Sequence, residues 1–142
     1  MKRVLKENGT IAAYVWDYAD RMDFLRIFWD AAHETDGNAI RFDEGIRFPI
    51  CNAWNLKDAF QKAGLTNIET SYLDIDTVFK SFDDYWNPFM GGQGPAPGYL
   101  ALLNRNLQSK IKNTLLKKLP IYQDGSITIL ARVIADRGIY KQ

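Results

Sequence analysis

The chain has 142 residues, 46% hydrophobic, 13% aromatic and 25% charged, which suits one soluble globular domain over residues 1–142 and excludes a mainly disordered chain. Eighteen Lys and Arg against seventeen Asp and Glu leave a net charge of +1, without the basic excess of nucleic-acid or membrane-surface proteins. One Cys and one His remove internal disulfides, multi-cysteine zinc sites and chemistry needing two imidazoles, and point to a reducing, cytoplasmic setting.

Residues 1–9 read as the end of a helix. Val4 and Leu5 lie among Lys2, Arg3 and Lys6, cations suited to the carbonyl end of a helix, and Asn8-Gly9 supplies a left-handed stop. This segment lacks the apolar stretch of a signal peptide, and no later run reaches the roughly 20 apolar residues that cross a bilayer. Thr10 to Trp16 is almost continuously apolar, the pattern of a strand covered on both faces. A helix follows, with Asp20 as N-cap, Met22, Leu25, Phe28, Trp29 and Ala32 on one face, and Gly37 at its close. Residues 37–53 read as a mixed-charge loop carrying Arg41, Arg47, Pro49 and Cys51.

Asn55, with Asp58 three positions on, caps a second helix whose buried stripe is Leu56, Ala59, Phe60 and Ala63. Gly64 ends it. Ile68 to Phe79 then reads as a long strand of imperfect alternation, reconciled by a bulge near Tyr72. Ser81 and Asp84 open a short aromatic helix, Phe82 to Phe89, and residues 91–98, rich in Gly and Pro, read as a loop. Helical patterning returns at Tyr99 and restarts at Asn104, with Leu107, Ile111, Leu115 and Leu119 at four-residue spacing until Pro120. Asp124-Gly125 turns the chain into a final strand, Ser126 to Ala135, apolar on both parities as expected in mid-sheet.

Few of these residues suggest chemistry. The glycine segment 91–98 follows a helix rather than a strand and contains prolines that donate no N–H, so it reads as a lid or connecting loop, not a phosphate cradle. His33 reads as a surface or capping histidine and Cys51 as a small buried hydrophobe. Asp74/Asp76 and Asp83/Asp84 read as solvated or capping charges before acid–base pairs. The aromatic surplus is more informative. Trp16 and Tyr18 stand just past the first strand, where α/β sheets place their ligand crevice. Trp29, Tyr85, Trp86, Phe89 and Tyr99 lie on elements able to close over it, although core packing explains Trp29 and Trp86 equally well.

The chain resembles the C-terminal half of a class I S-adenosylmethionine-dependent methyltransferase, of the ubiquinone/menaquinone-type, methyltransferase type 11-like group. Arg3-Val4-Leu5-Lys6-Glu7-Asn8-Gly9 is similar to that family's R-V-L-K-P-G-G helix end, with Glu7-Asn8 replacing Pro-Gly. Tyr14-Val15-Trp16-Asp17-Tyr18 resembles the end of its fifth strand, and Phe60, Ala63, Gly64, Leu65 and Ile68 resemble the approach to its sixth. Asp83-Asp84-Tyr85-Trp86 with Gly94-Pro95-Ala96-Pro97 is similar to a substrate-side insertion. The resemblance implies a partial Rossmann-like methyltransferase fold of class α/β, with about three strands and helices, the last strand antiparallel and central.

It also implies a small-molecule methyl acceptor, bound by Trp16, Tyr18, Trp29, Arg47, Tyr85, Trp86 and Phe89, with Arg47 able to pair with an acidic acceptor. The complete family enzyme uses S-adenosylmethionine as cofactor. The family's cofactor residues precede the segments matched here, so this chain alone is expected to bind no cofactor and to be inactive. Catalysis by the complete enzyme rests on proximity and orientation. Loss of the cofactor half uncovers the edge of strand 10–16, so the chain is expected to form a homo-oligomer there, a homodimer first of all. The alternatives are a stand-alone small-ligand-binding or interaction module, and a partner of a separate N-terminal half.

Overall fold

The computed structural model describes residues 2–141; Met1 and Gln142, the ends of the expected domain, lie outside the described residues. Its elements are β1 (Thr10–Trp16), α1 (Asp23–Thr35), α2 (Glu44–Arg47), α3 (Ala53–Lys62), β2 (Leu65–Phe79), α4 (Phe82–Trp86), α5 (Pro95–Leu102), α6 (Arg105–Lys118) and β3 (Ile127–Tyr140). Short 3-10 turns occupy Lys2–Val4, Gly37–Arg41 and Asn87–Gly91. The fold is mixed α/β.

The strands form one sheet in the order β1-β3-β2, with β3 antiparallel to both neighbours. β1 and β2 therefore run parallel to each other on either side of the last strand, as the two-sided apolarity of residues 127–134 predicts. β3 continues past Ala135 to Tyr140 despite Asp136, Arg137 and Gly138. Gly138 belongs there because a Cβ would stand 3.1 Å from Leu65 Cβ and 3.2 Å from the Phe60 ring. Close packing against β2 and α3 thus selects glycine.

Local chemistry shifts several boundaries. The Gly9 stop follows a 3-10 turn, and Asn8 takes the left-handed conformation with φ 60°. Met22, not Asp20, occupies the N-cap of α1. Asp23 instead accepts the Leu130 N–H at 3.0 Å, pinning the helix to β3. Asn52, not Asn55, caps α3, accepting from Trp54 N at 2.9 Å, while Asn55 donates to the Pro49 carbonyl at 2.7 Å. The bulge of β2 falls between Thr66 and Glu69, with Asn67 at φ 48°, and not near Tyr72. The weak alternation of β2 has another cause: Tyr72 on one face and Leu73 and Ile75 on the other are all exposed. Half of the glycine segment is helical, since Pro95 opens α5 in the position that tolerates a missing N–H. Ser81 and Asn104 cap α4 and α6 as expected.

Two cores flank the sheet. The larger gathers α1, α4, α5 and α6 against Ile127 and Ile129. The smaller packs Leu56 and Phe60 of α3 on Leu65 and Ile134, with Ile11, Ala13 and Val15 of β1 alongside. The face opposite the smaller core is open near the C-terminal end of β1 and the middle of β2: Tyr14 is 78% exposed, Trp16 38%, Leu73 58% and Ile75 48%. Register places these four on one face. The outer edge of β1 carries no strand among the described residues.

Candidate functional site

β1 and β2 end at Trp16 and Phe79, and α1 starts beyond those ends. There a cavity of about 230 Å³ opens between the first turn of α1, Glu44 and the segment from Pro88 to Pro97. Its walls are mostly apolar: Phe24, Leu25, Phe89, Pro95 and Pro97. The aromatic wall is built by stacking, with the Phe24 ring 4.6 Å from Phe89 and 5.7 Å from Phe79, and Phe89 4.4 Å from Phe28. Tyr85 meets Phe24 edge-on at 5.3 Å, and its hydroxyl donates to the Phe24 carbonyl at 2.9 Å.

Glu44 is the carboxylate of this cavity and is 5% exposed. Trp29 Nε1 donates to its Oε2, and the Ala96 N–H donates to the same carboxylate. Glu44 therefore answers the first turn of α5, whose N-cap Gly94 offers no side chain. Burial pushes the Glu44 carboxyl above its ordinary value of 4.5, and the neighbouring Asp43 adds to the shift. A carboxyl so placed can accept a hydrogen bond, or a proton, from a polar group on a ligand in the cavity.

Asp43 holds Glu44 in position. It is 1% exposed and receives both guanidinium arms of Arg26, at 3.0 and 2.6 Å. It also accepts the Gly45 N–H at 2.8 Å, opening α2. Arg26 Nη1 donates further to the Tyr18 carbonyl at 3.2 Å, tying the end of β1 to α1. His33 Nε2 lies 3.3 Å from Asp43 Oδ2 without the alignment of a hydrogen bond. Gly45 leaves room for this convergence, because a Cβ there would stand 2.7 Å from the Tyr18 carbonyl oxygen and collide with the Arg26 guanidinium.

The residues singled out from sequence fall in different places. Phe89, 1% exposed, reaches the cavity wall, and Trp29, fully buried, reaches it through Glu44. Tyr85 lies behind Phe24, fully buried, with its hydroxyl pushed up by burial. Trp86 is 6% exposed and packs on Phe82, with Lys112 Nζ 5.8 Å above its ring. Tyr18 and Arg47 meet on Phe48, at 6.3 and 5.7 Å, away from the cavity. Trp16 lies on the open sheet face. Tyr99 is buried, its hydroxyl bonded to Asp36 at 3.0 Å. Cys51 is buried, and burial pushes its thiol up.

Sequence reasoning missed Glu44, Asp43 and Arg26. The acidic pair before Gly45 is a helix-start signal, but a mixed-charge stretch hides it. Asp74 pairs with Arg132 at 2.7 Å and Asp84 accepts the Lys80 N–H at 2.9 Å, so both serve local structure. Among the described residues no group of three His, Cys, Asp or Glu side chains is placed to hold a metal ion.

Gly91 closes a 3-10 turn, and Gly92 and Gly94 lead into α5, so this segment does not join a strand to a helix as the glycine loop of a nucleotide-type cofactor site does. No family model matches the chain, and no curated protein matches it. Among the described residues no helix is long and apolar enough to cross a membrane.

Proposed function

We propose that this chain is the acceptor-binding, substrate-side portion of an S-adenosylmethionine-dependent methyltransferase fold, inactive alone, that self-associates through β1. One observation carries the reading: an aromatic cavity with a single buried carboxylate lies beyond the ends of two parallel strands flanking a central antiparallel one. Open α/β sheets use that end for ligands. The cavity suits a small, flat, largely apolar acceptor with one hydroxyl or amine, which Glu44 would orient. Residence in the cytoplasm belongs to the same reading and rests on the lone, buried cysteine.

Self-association rests on β1. Thr10–Trp16 carries no charged residue and no proline, the devices that keep edge strands from pairing. Tyr14 and Trp16 of β1, with Leu73 and Ile75 of β2 on the same sheet face across β3, offer an apolar surface for a second chain to cover. A stand-alone binding module is the second reading, favoured by a cavity whose walls this chain builds without a partner.

Calorimetric titration with phenol and indole tests the cavity, with saturable binding expected in the native chain and none in Leu25→Trp, which fills it. Absence of binding by the native chain overturns both readings. Incubation with labelled S-adenosylmethionine and the bound probe separates activity from binding. No methylated product is expected, and turnover by the pure chain contradicts the assignment as an inactive portion.

A further inference from the structure

The cavity beyond the ends of β1 and β2 is one-sided in charge. Glu44 is the ionisable residue of its lining, and no lysine, arginine or histidine lines it. Arg26, on the same helix as Phe24 and Leu25, is engaged by Asp43 through both arms of its guanidinium.

The lining is also poor in donors. A helix N-terminus ordinarily attracts anions through its unpaired N–H groups. Of the three residues that open α5, Pro95 and Pro97 have no N–H, and the Ala96 N–H already donates to Glu44. Gln93 carries the one side-chain amide of the lining. An anionic ligand would therefore meet a carboxylate and few groups to hold it.

Glu44 keeps room for a partner. Three N–H groups reach its carboxylate, from Trp29 Nε1, Ala96 and its own backbone. A carboxylate accepts at about four sites, which leaves one open. Burial and Asp43 push the Glu44 carboxyl up, and the groups that oppose them are neutral N–H donors, not cations. A positive charge is the missing complement. Phe24 and Phe89, stacked 4.6 Å apart, supply ring surface that both attracts a cation and packs an aromatic group. At about 230 Å³ the cavity lies below the roughly 300–1,000 Å³ of drug-sized sites, which limits the ligand to one ring.

We propose that this cavity selects a one-ring arylalkylamine as its ammonium, with the charge on Glu44 and the ring against Phe24 and Phe89. The inference rests on the acceptor-cavity reading and narrows its hydroxyl or amine to a cation.

Calorimetry of the full chain with phenethylamine, 2-phenylethanol and 3-phenylpropionate tests it, since the three share a phenethyl group and differ in head-group charge. Phenethylamine is expected to bind about tenfold or more tighter than the alcohol, with the carboxylate weakest. Glu44→Gln should bring the amine down to the affinity of the alcohol. Gln93→Lys, at an exposed position of the lining, should weaken the amine about two- to fivefold and leave the alcohol unchanged. Alcohol or carboxylate binding as tight as the amine overturns the proposal and leaves the cavity reading standing. No saturable heat from any of the three overturns the cavity reading with it. The comparison in the native chain decides the matter without Glu44→Gln, should that variant fail to fold.

Discussion

Asp43→Asn tests whether a buried ion pair organises the mouth of the cavity. The amide keeps the shape and the capping of α2, because asparagine caps about as well as aspartate. What it removes is the charge that faces Arg26, whose side chain is 15% exposed against 2% for Asp43. Leaving one member of a buried pair uncompensated costs about 3–5 kcal/mol. The low end applies here, because Arg26 keeps the Tyr18 carbonyl and some access to water. A loss of about 3 kcal/mol lowers the midpoint of thermal unfolding by roughly 10 °C in a chain of this size.

Arg137 and Glu69 supply the control. Their contact is also forked, with bonds of 2.8 to 3.1 Å, but the side chains are 63% and 61% exposed. Glu69→Gln should cost less than about 1 kcal/mol, because water and salt screen the pair. Urea unfolding of both variants, and of Arg26→Met alone and with Asp43→Asn, measures the difference. The double variant should lose less than the sum of the singles, by about 2 kcal/mol. If Asp43→Asn costs no more than Glu69→Gln, or if the two losses at Arg26 and Asp43 simply add, the burial argument fails.

Glu44 makes stability depend on pH. Its carboxyl titrates above the ordinary 4.5 in the fold, so the folded chain holds the extra proton and stability falls as pH rises through the raised value. Melting temperatures of Glu44→Gln and the native chain at pH 5 and pH 7 should show the variant gaining relative to native at the higher pH; a constant difference refutes the shift. Asn52→Ala should cost about 1 kcal/mol by removing the cap of α3, read by urea unfolding, and a negligible loss would deny Asn52 that role. Gly45→Ala should cost about 1–3 kcal/mol through crowding of Arg26 and the Tyr18 carbonyl, with no loss expected if that contact relaxes freely.

Periodicity made most of the fold legible, because burial leaves a local trace. The two-sided apolar run of β3 marks a central strand, and the stripe at four-residue spacing that holds Ile111 and Leu115 marks the packed face of α6. Capping was less legible. Asn52 and Asn55 are the same residue type three positions apart, and only the extended backbone at Asn52, with φ -150°, makes it the cap. The site was least legible. Arg26 meets Asp43 across 17 residues of chain and Trp29 meets Glu44 across 15, and no local pattern records a contact made by tertiary packing. Aromatic content drew attention to Trp29 and Phe89, but it does not separate a cavity wall from core. Tyr85 and Trp86 carry the same sequence signal and lie in the packed interior.

The proposed self-association predicts that β1, with its exposed Tyr14, is an assembly surface. Light scattering of the native chain and of Tyr14→Lys at micromolar concentration tests it directly, since Tyr14 is 78% exposed and its replacement leaves the core untouched. Twice the 16.3 kDa chain mass is expected for the native protein, and a single-chain mass with an unchanged circular dichroism spectrum for the variant. A native chain that runs as a monomer would contradict it.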